Sequence, residues 1–256
     1  MSEKMKSCSG FNLNPFRKGT VLIWMVLLPF SFFGQVSFSD NFESGRLDTV
    51  YLDNGEYVVA PISNINFRIQ NVKLTTPHFK IFDSIGFRLR SYHSMVYRYW
   101  NDTTWHFFDT AYKSINVGYY HFFNHTPFQK DTVQIAYWYP YNYSQLQDFL
   151  NSISNSPFVL EIGKKAKTVQ NRDLFGFQIT DTFYSDCYKR NVVILARQHP
   201  IESINGYFIE GLTEFLLNPK DTVAKFLRRN FHFFIYPMLN PDGVVMGSAQ
   251  NSLGQG

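Results

Sequence analysis

Two apolar runs flanking one amphipathic stretch constrain this chain more than any other feature of its sequence. Val192-Val-Ile-Leu195 is rich in β-branched residues and leads into Ala196-Arg-Gln-His199-Pro-Ile-Glu202. Phe231-His-Phe-Phe-Ile-Tyr236 is equally strand-like and leads into Pro237-Met-Leu-Asn240-Pro-Asp-Gly243. Between them Ile204, Phe208, Leu212, Phe215 and Leu216 recur at helical spacing, which predicts a helix from just after Glu202 to about Leu217 with that stripe buried. Pro200 suits a first turn, where its missing N–H costs nothing, and Asn218-Pro219 ends the helix. Strand, helix and strand in this order make a βαβ unit with parallel strands and a right-handed crossover. His199 and Asn240 then fall just past the C-terminal ends of neighbouring strands, the rim where open α/β sheets place their ligand sites.

His199 and Glu202 carry the chemistry of that rim. An imidazole and a carboxylate three residues apart can reach one ion, and Zn²⁺ accepts N and O donors of this kind. A His-x-x-Glu pair also recurs by chance, and the plain alternative is a surface His and Glu at the start of a helix. Placement at the strand end favours the metal reading.

At 256 residues the chain has room for two domains and a sizeable core. Its 27 Phe, 16 Tyr and 4 Trp favour strands and apolar clefts over disorder. The formal charge of +4 is concentrated at the N-terminus, where Lys4, Lys6, Arg17 and Lys18 face only Glu3. The rest is close to neutral, which gives no electrostatic footprint for nucleic acid. The same basic residues precede Val21-Leu-Ile-Trp-Met-Val-Leu-Leu-Pro-Phe-Ser-Phe-Phe-Gly34, a short apolar run broken by Pro29. This pattern predicts a signal peptide over residues 1–34, export to a secreted or periplasmic location, and no stable membrane partner after cleavage; an uncleaved membrane anchor is the alternative. Cys8 would leave with that segment. Cys187 would then stand alone, without an intrachain disulfide, and reads as structural.

From residue 35 to about 141 the sequence is strand-like. Phe67–Val72, Phe87–Arg90, Tyr119–Phe123 and Val133–Tyr139 alternate partially with period two, and turn clusters such as Asp53-Asn-Gly55 and Asn124-His-Thr-Pro127 separate them. An antiparallel β-sandwich over 35–141 is the expectation. The texture changes at Tyr139-Pro-Tyr-Asn-Tyr-Ser144. Ser144 is positioned to cap a helix whose Leu146, Phe149, Leu150 and Ile153 share one face. Strands around Phe158–Ile162 and Leu174–Ile179 follow. The fold class is therefore α/β, with an antiparallel sandwich ahead of the first half of a mixed-sheet α/β domain over 142–256.

These residues resemble the zinc metallocarboxypeptidase family, and its cytosolic-carboxypeptidase-like branch in particular, which carries a β-sandwich ahead of its catalytic domain. Ala196-Arg-Gln-His-Pro-Ile-Glu202 matches the family's His-Pro-Gly-Glu segment except that Ile201 replaces the Gly. Pro237-Met-Leu-Asn-Pro-Asp-Gly-Val244 matches the branch's second segment more specifically, while Asp40-Asn-Phe-Glu-Ser-Gly45 and Tyr139–Ser144 resemble signatures of its N-terminal domain. The resemblance implies Zn²⁺ as cofactor, His199 and Glu202 as its first two ligands, and the C-terminus of a peptide or protein as substrate. It identifies no catalytic residue within this chain. The third ligand, the general base and the substrate-anchoring arginine segment are all expected beyond residue 256, so substrate-binding residues stay unassigned. Where the family has Gly-Asn-x-Arg, this chain reads Gly247-Ser-Ala-Gln250, which replaces a charge with a neutral donor.

Two functions follow as expectations. One is a zinc-dependent metallocarboxypeptidase, incomplete and inactive in these 256 residues. The other is a non-catalytic pseudoenzyme whose sandwich binds a peptide or glycan. Among the remaining groups, His232 reads as a core or face histidine, Glu210 and Glu214 as solvated, and Asp242 as a turn residue beside a Gly243 of positive φ. A parallel sheet built from these strands alone should also show an unpaired edge and one bare face, which predicts poor solubility.

Overall fold

The structure, a computed structural model, describes residues 35–61, 64–82, 95–114 and 118–248. The proposed signal segment, the expected strand at Phe87–Arg90 and positions Ala249 and Gln250 lie outside the described residues.

Strands of the described N-terminal part form two sheets. One runs in the order β1 (Ser37–Ser39), β4 (Asn66–Gln70), β10 (Val133–Tyr137), β6 (Met95–Tyr99), β7 (His106–Phe107). The other runs β2 (Val50–Asp53), β3 (Glu56–Val59), β5 (Phe79–Phe82), β9 (Tyr119–Phe123), β8 (Thr110–Lys113). The pairing is antiparallel except between β3 and β5, which run parallel. The β2–β3 turn places Asn54 at φ 49° and Gly55 at φ 81°, the left-handed pair that an Asn-Gly hairpin turn needs. Alternate residues point into one core, with Phe67, Ile69, Val133 and Ile135 from the first sheet meeting Val59, Phe79, Ile81 and Phe122 from the second.

A second core lies under a mixed sheet of order β11 (Val159–Lys167), β12 (Asp173–Ile179), β14 (Phe231–Tyr236), β13 (Arg190–Leu195). Only β13 and β14 are parallel, in the register Val192↔Phe233, and the other pairs are antiparallel. Helix α1 (Tyr143–Ile153) and helix α2 (Ile204–Leu217) contribute Leu146, Phe149, Leu150, Ile209 and Leu216 to this core beside Phe177, Phe233 and Ile235. Ser144 does not cap α1. The Gln145 side chain accepts the Asn142 N–H at 2.8 Å, and the Ser144 hydroxyl is instead bonded to Glu43.

Helix α2 is rolled relative to its predicted stripe. Its buried residues are Gly206, Ile209, Thr213 and Leu216, while Ile204 and Phe208 are exposed. The helix is apolar on most sides, so hydrophobic periodicity alone cannot orient it. Gly206 orients it: a Cβ there would lie 2.4 Å from the Tyr141 ring, so this helix face must turn toward Tyr141. The β13–β14 crossover also holds an unpredicted second helix, α3 (Thr222–Asn230), capped by Asp221, whose carboxylate accepts the Ala224 N–H at 2.8 Å. Its Arg228 is buried, lies 3.9 Å over the Phe158 ring, and donates to the carbonyls of Leu216 and Asn218. Cys187 is exposed in a short 3-10 turn, Asp186–Tyr188, rather than structural in a core.

Candidate metal centre

The parallel pair β13 and β14 continues past its strands as two loops stitched together. The Ala196 N–H donates to the Tyr236 carbonyl at 3.0 Å, Leu239 to Ala196 at 2.9 Å, and Asn240 to Arg197 at 3.1 Å. The 196–203 loop is thereby fixed alongside the exit of β14. It then turns on itself, with the Glu202 N–H donating to the His199 carbonyl at 3.1 Å. This turn brings His199 Nδ1 within 3.0 Å of Glu202 Oε1, with the two side chains 51% and 41% exposed. The Asn205 amide donates to the second carboxylate oxygen at 3.5 Å.

Arg197 holds the loop from behind. Its backbone is left-handed, φ 54°, which a residue with a Cβ adopts at a cost of about 1 kcal/mol. The residue is 3% exposed, and its guanidinium donates to the carbonyls of Tyr141 at 3.1 Å and Pro200 at 2.5 Å. Burial pushes its pKa down to about 10, although Tyr141 and Glu202 act in the opposite sense. Tyr141 is itself anchored, donating from its hydroxyl to Glu210 Oε1 at 2.7 Å. Burial, with that hydrogen bond and the Glu210 charge beside it, raises the phenol well above the ordinary tyrosine range. Burial likewise raises the Glu210 carboxyl, so this residue is not the solvated helix-face glutamate that its spacing suggested.

The second loop closes over Pro200. Helix α4 (Pro241–Val245) starts at Asn240, whose side chain accepts the Gly243 N–H at 3.0 Å. Gly243 does not supply a positive φ. It sits within the helix, where a Cβ would come 2.3 Å from Pro200 Cγ, so glycine is needed there for close approach. Asp242 is no exposed turn residue either. It is buried and accepts from Thr168 Oγ1 at 2.7 Å, Arg172 Nη1 at 2.8 Å and the Gln170 N–H at 3.1 Å, clasping the β11–β12 hairpin to α4. Burial pushes its carboxyl up, but the bonds from Arg172, Thr168 and Gln170 outweigh this and hold it below the usual carboxylate value. Ile201, which stands where the resembling family has glycine, packs against the sandwich core.

The turn thus presents an imidazole nitrogen and a carboxylate oxygen side by side and open to solvent. Those are two of the donor types that a three-ligand zinc site uses. Among the described residues no group of three or more His, Cys, Asp and Glu side chains gathers to complete such a site. His232 hydrogen-bonds Gln178 Oε1 at 2.7 Å and stacks on Phe234. The loop residues Arg197 and Asp242 were missed as structural partners because nothing in their local sequence announces burial.

Residues 143–255 match the family model described as zinc carboxypeptidase. Among curated proteins, cytosolic carboxypeptidase 3 of Bos taurus is 38% identical over 50% of this chain and 13% of its own length. Cytosolic carboxypeptidase 6 of Caenorhabditis elegans is 40% identical over 48% of this chain and 27% of its own length. The chain therefore spans well under two thirds of the curated relatives it matches. A metallo-carboxypeptidase from Burkholderia cenocepacia shares the fold with a TM-score of 0.75, at 24% identity, over 86% of this chain and 60% of that one. A metallo-carboxypeptidase from Pseudomonas aeruginosa does so with a TM-score of 0.71, at 21% identity, over 86% and 60%. The relatives' names correct one expectation. They are cytosolic carboxypeptidases, which overturns the export read from the apolar run before Gly34. No helix of the described residues is long and apolar enough to cross a membrane.

Proposed function

Because residues 143–255 carry a domain of the zinc carboxypeptidase family, we propose that His199 and Glu202 are two ligands of a zinc ion in a carboxypeptidase site that acts on peptide or protein C-termini. The observation that carries this reading is the 3.0 Å approach of His199 and Glu202 on an exposed turn at the C-terminal end of a parallel strand. A bound zinc would supply Lewis-acid polarisation of the scissile carbonyl and a lowered pKa for its water. The chain's own residues position that chemistry. Arg197 fixes the turn through the Pro200 carbonyl, and Asn205 orients the Glu202 carboxylate. We read 35–141 as the sandwich domain and 142–256 as the peptidase domain. A third protein donor would have to come from outside the described residues.

Zinc titration of the whole chain against its His199→Ala variant tests the assignment. Stoichiometric binding that weakens by at least 10-fold in the variant is expected. Equal binding by both proteins, or none by either, refutes it.

A cleft of about 360 Å³ lined by Arg98, Trp105, Tyr139, Ile204 and Tyr207 favours a second reading, a non-catalytic protein that binds a peptide or glycan. Its aromatic walls and an Arg98 guanidinium 4.7 Å from the Trp105 ring suit a planar or amphipathic ligand. Peptide binding that persists without metal, in a protein that hydrolyses nothing when zinc is supplied, would favour that role.

A further inference from the structure

We propose that Ser114, His121 and Glu56 form a second reactive site, a serine nucleophile with its base and carboxylate, that takes an acyl group from aryl esters and thioesters. The three come from different strands of one sandwich sheet. Glu56 opens β3, His121 lies in β9, and Ser114 directly follows β8. The register pairs His121 with Tyr112 of β8 and with Lys80 of β5. Side chains two residues apart share a strand face, so Ser114 stands with Tyr112 on the face that carries His121, opposite the core residues Tyr120 and Phe122. Ser114 Oγ lies 2.7 Å from His121 Nε2, and His121 Nδ1 lies 3.0 Å from Glu56 Oε1.

These two contacts set the direction in which a proton moves. An ionised carboxylate only accepts, so Glu56 holds the imidazole proton on Nδ1. Nε2 is then left as the acceptor and the Ser114 hydroxyl donates to it, the arrangement of a nucleophile with its general base. The ring is held in plane as well as oriented. Its side chain is 13% exposed and stacks on Tyr112 at 4.7 Å with the planes 6° apart. Lys80 does not draw Glu56 away from this task. Its ammonium lies 2.6 Å from Asp53 and 3.6 Å from the other Glu56 oxygen, so Asp53 is its main counter-charge. A second hydroxyl–imidazole contact, Thr110 to His125 at 2.9 Å, supplies a comparison. Among the described residues the histidines with a carboxylate within ion-pair distance are His121 and His199, so the Thr110 pair lacks its third member.

The chemistry follows from the donors. Ser114 Oγ adds to an acyl carbonyl carbon while its proton passes to His121 Nε2. The tetrahedral adduct collapses, the C–O or C–S bond to the leaving group breaks, and that group departs with the proton, leaving Ser114 esterified. Water then attacks the ester through the same imidazole and frees the carboxylic acid. The Ser114 N–H is already spent on the Tyr119 carbonyl at 2.9 Å, so a backbone donor for the developing oxyanion cannot come from the nucleophile itself. The acyl donor must therefore bring its own activation, which selects aryl esters and thioesters over alkyl esters and amides. Tyr112 and Phe82, 45% and 41% exposed, lie on the strands either side of β9 and offer apolar surface to a short acyl chain.

The test uses the whole chain with excess EDTA, so that no bound metal takes part and the outcome is separate from the zinc assignment. An alkyl fluorophosphonate should attach once per chain, and peptide mass spectrometry should place it on Ser114. Ser114→Ala should abolish labelling of that peptide. His121→Ala and Glu56→Gln should slow it by at least about 10-fold with circular dichroism unchanged. p-Nitrophenyl acetate should release a burst of about one nitrophenolate per chain, which Ser114→Ala lacks. No adduct at Ser114 in the folded wild type overturns the proposal, and so does an equal adduct at Thr110. Equal labelling rates in wild type and His121→Ala overturn it as well, because the imidazole would then merely satisfy a hydroxyl. The wild-type adduct decides the matter even where a variant fails to fold.

Discussion

Arg197 offers the sharpest test of how the His199–Glu202 turn is held. Replacing it with alanine removes two charge-assisted hydrogen bonds, to the carbonyls of Tyr141 and Pro200, and leaves both acceptors inside the protein. Each such bond contributes about 1.5–3 kcal/mol, a gross loss of roughly 3–6 kcal/mol. Relief of the buried charge returns part of it, so a net destabilisation of about 3 kcal/mol is expected for Arg197→Ala. The left-handed φ of 54° adds a second, independent signature. Alanine keeps the strain of that conformation, whereas glycine is released from it at a gain of about 1 kcal/mol. Arg197→Gly should therefore be the milder of the two substitutions, the reverse of the usual order in regular structure. Urea unfolding monitored by far-ultraviolet circular dichroism measures both, provided the slopes agree. An Arg197→Ala variant as stable as the wild type, or a glycine variant less stable than the alanine one, would refute the reasoning. The pH dependence has a fixed sign. Burial pushes the folded pKa down to about 10, below the ordinary arginine value, so above about pH 10 the unfolded chain binds more protons. The Arg197 contribution to stability therefore rises with pH through that window and is absent from Arg197→Met.

Three further outcomes follow from the packing. Asp242→Asn loses the charge that pairs with Arg172 and should cost about 2–3 kcal/mol near neutrality. Because the Asp242 carboxyl is held below 3.8, its contribution is present above that value and disappears as pH falls through the folded pKa, so the two stability curves should converge in acid. Gly206→Ala drives a methyl to 2.4 Å from the Tyr141 ring and should cost about 1–3 kcal/mol, read as a lower urea midpoint; an unchanged midpoint would mean that α2 moves freely. Val193 and Leu195 are exposed on β13, which pairs only with β14 among the described residues. Leu195→Lys should therefore reduce self-association of the chain in light scattering while leaving its circular dichroism intact.

The elements legible in the sequence were those whose period matched their surroundings. Phe231–Tyr236 and Tyr119–Phe123 are strands at the residues where β-branched and aromatic character begins and ends. The face of α1 was readable because its opposite side is polar, so Leu146, Phe149, Leu150 and Ile153 had one way to turn. In α2 that contrast is missing, and a contact with Tyr141, sixty-five residues upstream of Gly206, chose the face. Helix α3 escaped notice because Thr-Val-Ala-Lys-Phe-Leu-Arg-Arg-Asn is mostly polar, and its stabilising contacts come from Asp221 and from Arg228 reaching back to α2. The His199–Glu202 pair was legible because its two members are close in sequence. Arg197, Tyr141 and Asp242 were not, because their partners come from other segments of the chain. Residue identity says what such groups can donate or accept, but only tertiary packing says to whom.

Ile201 has a wider implication. By packing against the sandwich core, it makes the loop that carries His199 and Glu202 a shared possession of two structural layers. Modular exchange of the N-terminal part for another sandwich would then alter the turn itself, because the socket for Ile201 would change shape. Over evolutionary time the residues lining that socket and the residue at position 201 should drift together, as lock and key do when neither can be recut alone.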